Sequence, residues 1–80
     1  MKMQSVTSSN ISAVGYDGDT ETLAIRFKAA DGMPGNLYEY HKVPHIVHDA
    51  LMGAESVGKF FAKHVRPLYE HTKAEEARAA

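Results

Sequence analysis

Eighty residues with no cysteine make one domain at most, and they exclude disulfide staples and thiolate metal sites. Nine basic and ten acidic residues give a net charge of -1, which excludes a uniformly basic nucleic-acid binder. A hydrophobic share of 44% against 24% charged excludes chain-wide disorder and suits a small globular domain with a modest core.

Residues 1–8 are polar and without period, so they read as a flexible N-terminal tail. They hold no apolar stretch of the secretory kind, and no run in the chain approaches the ~20 residues that span a bilayer, so the expected location is cytoplasmic. Ile11 to Tyr16 is β-branched and aromatic enough for a strand. Asp17-Gly18-Asp19 follows as a hairpin signal, because glycine accepts positive φ and aspartate favours turns. Thr22 to Lys28 alternates, with Leu23, Ile25 and Phe27 on one side and Ala24, Arg26 and Lys28 on the other. Residues 29–36 are turn-rich and read as a longer hairpin loop. Leu37 to Val43 is the third strand, with Tyr38 and Tyr40 on one face and Glu39 and His41 on the other.

Pro44 changes the period, since proline suits a helix start and has no amide hydrogen to donate. Ile46, Val47, Ala50 and Leu51 form a helical stripe, and Gly53 stands where a C-cap is wanted. Ser56 is the expected N-cap of a second helix, with Val57, Phe60, Phe61 and Val65 at helical spacing. Pro67 ends that helix near Val65 or Arg66. The last stretch is polar and either continues as a solvated helix or frays. Leu23, Ile25 and Phe27 cannot stay wet, and only the two helices can cover them. The expected fold is therefore α+β: a three-stranded antiparallel meander with two helices packed on one face, spanning 9–69, with a polar tail over 70–80.

Few residues suggest chemistry. His41, His45 and His48 gather beside Asp49, but their spacing matches no zinc site, so no metal or other cofactor is expected. No Gly-x-Ser-x-Gly elbow is present, Ser56 is explained as a cap, and a domain this small has little room for a deep pocket. No enzyme activity is expected. Gly58-Lys59 lacks the hydroxyl residue of a phosphate-binding loop, because Phe60 follows. Phe60 and Phe61 sit at helical spacing, so they read as core rather than as the exposed strand aromatics of an RNA-recognition motif.

The charge is uneven. Residues 1–40 carry three basic against five acidic residues, whereas 56–66 carries basic residues alone. Lys59, Lys63 and Arg66 recur at i, i+4 and i+7 on one helical face, with His64 adjacent and Lys42 nearby in sequence order of elements. Such a stripe attracts phosphate; the plainer account is an ordinary solvated helix face. Arg26, Lys28 and His41 make a weaker surface on the open sheet face, diluted by Glu39.

Taken together, Ser8-Ser9-Asn10-Ile11, Gly15-Tyr16-Asp17, Leu23-x-Ile25-x-Phe27, Tyr38-x-Tyr40, Val43-Pro44, Ser56-x-Gly58-Lys59-Phe60-Phe61 and Val65-Arg66 resemble the KTSC domain. That domain occurs at the C-terminus of some lysyl-tRNA synthetases and as short stand-alone proteins. The resemblance implies a small α+β fold and, through the synthetase context, RNA; it implies no catalytic role. The loop at 29–36 is longer than the usual connection, and the chain after Tyr69 lies outside the resemblance. The leading expectation is a non-catalytic RNA-binding module using Lys59, Lys63, Arg66, His64 and Lys42. The alternative is a protein-interaction or accessory module that pairs with a partner, or with itself, through an open sheet edge.

Overall fold

The alternation at 22–28 builds the middle of the sheet. In the computed structural model, which describes residues 2–74, β1 (Met3–Ser5), β2 (Ile11–Asp17), β3 (Thr22–Lys28), β4 (Pro34–Tyr40) and β5 (His71–Lys73) lie in chain order in one antiparallel sheet. The helices α1 (His45–Met52) and α2 (Val57–His64) fill the connection between β4 and β5.

The register sorts the faces. Val14 pairs with Ile25 and Ile25 with Tyr38; Tyr16 pairs with Leu23 and Leu23 with Tyr40. Directly opposed residues share a face, so these six side chains form one surface. Leu51 of α1, Val57 and Phe61 of α2, and Val65 close over it, joined by Ile11 and Val43. Each fully buried side chain of this kind contributes roughly 1.5–3 kcal/mol of transfer free energy. Among the described residues no buried polar side chain interrupts this core.

The expected α+β class holds, but the sheet has five strands rather than three. The two additions are edges. Met3, Gln4 and Ser5 pair with Gly15, Val14 and Ala13, and His71, Thr72 and Lys73 pair with Tyr40, Glu39 and Tyr38. Two segments read as tails thus supply strands. They are held mainly by backbone pairing, which leaves no side-chain period to read. The remainder of the polar tail, residues 75–80, lies outside the described residues.

Three local readings also shift. β4 begins at Pro34, and a register shift between Arg26 and Lys28 sets Gly35 and Asn36 against Phe27 as a bulge. A side chain at Gly35 would bring its Cβ to 3.1 Å from the Ala29 amide nitrogen and the Phe27 carbonyl oxygen, so any larger residue there has to displace the bulge backbone. In the first hairpin the left-handed residue is Glu21 (φ 54°), not Gly18; Asp17 accepts the Asp19 N–H at 3.0 Å. In α1, Leu51 is buried and Val47 and Met52 pack on the core. Ile46 is 74% exposed, because it stands one step off that face.

The helix punctuation agrees with the sequence. Pro44 is extended (φ −63°, ψ 151°) immediately before α1, and the Gly53 N–H returns to the Asp49 carbonyl. Ser56 Oγ accepts the Lys59 N–H at 3.2 Å, and Pro67 follows the end of α2. No helix among the described residues is long and apolar enough to cross a membrane.

Candidate nucleic-acid interface

α2 buries Val57 and Phe61, one turn apart, and turns the opposite side outward. Lys59, Lys63 and His64 are exposed on it, and Arg66 is exposed on the turn that follows. The Arg66 N–H donates to the Phe61 carbonyl at 2.9 Å, a wider i to i−5 closure where the chain leaves the helix. No carboxylate among the described residues forms an ion pair with Lys59, Lys63 or Arg66. Lys63 and His64 occupy the last turn, where positive charge suits the helix dipole. His64 lies 4.8 Å from the half-buried ring of Phe60, centroid to centroid.

Between α2 and the ends of the strands runs a groove of about 350 Å³. Tyr38 and Tyr40, with Phe27 and Phe61, line it by their rings. Asn10, Ala62, Arg66 and His71 complete its walls. The rings meet edge-on or tilted: Phe27 lies 5.6 Å from Tyr38 at 71°, Tyr40 lies 5.1 Å from Phe61 at 84°, and His71 lies 5.6 Å from Tyr38 at 74°. Burial pushes the Tyr40 phenol above its ordinary value, and nearby Arg66 partly opposes that. The hydroxyl is therefore a neutral donor at physiological pH.

Asn10 reaches the groove because residues 8–10 fold against α2. The Ser8 hydroxyl donates to Asn10 Oδ1 at 3.1 Å, and the Asn10 carbonyl accepts the Lys28 N–H at 2.9 Å. A Cβ at Gly58 would lie 2.6 Å from that Asn10 oxygen. Gly58 is thus explained by close approach to this turn, and the Gly-Lys pair owes nothing to phosphate-loop geometry.

The five residues named from the sequence do not all converge. Lys59, Lys63, His64 and Arg66 follow α2 and its exit, and Arg66 alone lines the groove. Lys42 does not join them. It adopts φ 58° two residues beyond β4 and lines a separate depression with His41, Leu68, Tyr69 and Glu70. The weaker open-face surface is largely engaged by the chain itself. Arg26 donates to the Gly35 carbonyl at 2.9 Å, Lys28 to the Ser8 carbonyl, and His41 pairs with Thr72 Oγ1 at 3.0 Å.

The histidines separate as well. His41 is drawn to β5, while His45, His48 and Asp49 place one possible ligand atom each within 4.8 Å of the others. His45 Nδ1 stands 3.2 Å from Asp49, on an exposed helix face. His48 stacks on Tyr16 at 4.7 Å with rings 8° from parallel, and its Nδ1 is buried without a hydrogen-bond partner. Burial pushes His48 below its ordinary value, with Asp49 partly opposing. The Tyr16 hydroxyl donates to the Val43 carbonyl at 2.6 Å; burial and the carboxylates of Glu21, Asp49 and Asp17 push its phenol up.

The residues that sequence reasoning missed are Asn10 and His71, both of which line the groove. The Tyr-x-Tyr spacing did signal that two rings share a face; nothing local signals which partners they meet.

The KTSC domain family model matches residues 7–69. A protein of Tsukamurella paurometabola is 43% identical over 67 residues, covering 84% of this chain and 92% of that protein. A lysine–tRNA ligase of a Nostoc species is 35% identical over 61 residues, 76% of this chain but 10% of the ligase. The crystal structure of a KTSC domain protein from Yersinia pestis superposes with a TM-score of 0.81 at 34% identity, covering 92% of this chain and 97% of that one.

Proposed function

The chain belongs to the KTSC domain family, and from that premise we propose that it is a non-catalytic RNA-binding module whose contact surface is the outer side of α2. The observation that carries this reading is the exposed row Lys59, Lys63 and Arg66, with no carboxylate pairing to it among the described residues. Cations held this way are open to phosphate, and each phosphate they neutralise releases counterions. The similarity to a segment of a lysine–tRNA ligase supports RNA over DNA.

Titration with a short stem-loop RNA at low and high salt, followed by amide-resolved NMR, tests it. Expected shifts fall on residues 56–66 and fade with salt. Lys63→Glu weakens binding and flattens the dependence of log K on log salt by ~1. An unchanged affinity in that variant sinks the proposal.

The protein-partner reading draws less support. The edges offered for strand pairing are three-residue strands, and short edges discourage such pairing. A solution mass well above 8.8 kDa would favour self-association instead.

A further inference from the structure

We propose that the groove between α2 and the strand ends seats one unstacked nucleobase, with Arg66 holding the adjoining phosphate; this rests on, and deepens, the RNA reading above.

Size and shape are the first argument. A groove of about 350 Å³ lies at the small end of the ~300–1,000 Å³ range of small-ligand sites, and suits a single nucleotide. The second is the arrangement of rings. Contacts among Phe27, Tyr38, Tyr40, Phe61 and His71 are edge-on or tilted, and none is a parallel stack. Tyr40 and Phe61 are buried in the core, so the rings with exposed surface for a flat base are the half-buried Phe27 and Tyr38 and the exposed His71. The one parallel stack among the described rings is Tyr16 on His48, elsewhere in the fold.

The third argument is the polar complement. Asn10 Oδ1 takes the Ser8 hydroxyl, which leaves its amide donors for a ligand. The Tyr38 and Tyr40 hydroxyls meet no hydrogen-bond partner among the described residues. A base edge supplies both donors and acceptors for such groups. The fourth is continuity of charge. Arg66 belongs at once to the groove wall and to the row with Lys59 and Lys63, so a strand tracking that row passes the groove mouth. This combination of a cationic track with aromatic seats is the physical basis of single-strand recognition.

The test compares hexa-adenylate with an all-abasic ribose-phosphate hexamer, using the full chain and its His71→Ala variant. His71 is exposed on an edge strand, so the variant keeps its core. Ring signals of Tyr38 and His71 are expected to shift with hexa-adenylate and to stay still with the abasic chain. Hexa-adenylate is expected to bind at least about five-fold more tightly, as one stacked base requires, and His71→Ala should narrow that gap. If both oligomers shift residues 56–66 equally while the rings stay silent, the RNA reading survives and the base seat is overturned. If neither oligomer shifts any signal, both fall. If the rings and Arg66 respond to hexa-adenylate while Lys59 and Lys63 do not, the base seat stands and the rest of the α2 row does not.

Discussion

Gly58→Ala sets two effects against each other. Alanine is the better helix former by about 1 kcal/mol in a helix interior, and less than that in the first turn, where Gly58 lies. Helix propensity alone therefore predicts a more stable protein. The structure predicts the reverse. The added Cβ would sit 2.6 Å from Asn10 Oδ1 and 3.0 Å from Ser8 Oγ, both inside contact distance. Swinging the Asn10 side chain aside strains or breaks its bond from the Ser8 hydroxyl. Ser8 Oγ in turn receives the Asn10 and Ile11 N–H groups, both at 3.4 Å, where β2 begins. Losing one or two hydrogen bonds costs ~0.5–1.5 kcal/mol each. Set against the smaller propensity gain, the net expectation is a loss of up to about 2 kcal/mol. For a domain of this size each kcal/mol lost lowers Tm by roughly 4–8 °C. Thermal and urea unfolding followed by circular dichroism would measure it. Gly58→Ala should cost less in an Asn10→Ala background than in the parent chain, because the nearest obstructing oxygen is already gone. A Tm for Gly58→Ala above that of the parent chain would refute the reasoning.

Other outcomes follow from single contacts. Tyr16→Phe leaves the Val43 carbonyl without its 2.6 Å donor and should cost ~1–2 kcal/mol in urea unfolding; a loss below experimental error would count against that bond. His48 takes up its proton at lower pH in the folded chain than in the unfolded one, because burial disfavours the charged ring. Its contribution is therefore complete above the ordinary value of 6.5 and is lost as pH falls through the lowered folded value. Urea midpoints on either side of 6.5 should fall on the acid side, and less so in His48→Phe, which keeps a ring against Tyr16; identical pH dependence would remove His48 as the cause. Ser56→Ala removes the acceptor of the Lys59 N–H and should cost ~0.5–2 kcal/mol.

The legible parts of this fold are those where a side-chain pattern does the specifying. Leu23, Ile25 and Phe27 alternate because the face of β3 they share packs into the core cluster, whereas the small Ala24 is buried on the other face. Pro44, Gly53, Ser56 and Pro67 mark helix ends because their backbones or side chains fit nowhere else as well. Strands β1 and β5 were invisible for the opposite reason. A three-residue strand at a sheet edge is chosen by backbone pairing, and it is too short for its side chains to show a period. Ile46 was misassigned because an eight-residue helix offers too few turns to separate neighbouring faces. The cationic row of α2 was readable from spacing alone. The groove beside it was half readable: Tyr38 and Tyr40 share a face by strand period, but Asn10 and His71 arrive only through tertiary pairing.

The placement of β5 also bears on exchange. Its three residues reach β4 only after both helices have been laid down, so the loop closed by that pairing is the longest in the sheet. The strand is clamped by the His41 N–H to the Glu70 carbonyl and by the Ala74 N–H to the Leu37 carbonyl, both at 2.9 Å, and all three of its residues are exposed. Such a segment detaches as a unit at low free energy. Its amides should trade hydrogen for deuterium well before those of β3, and with each opening His71 leaves the rings of Tyr38 and Tyr40.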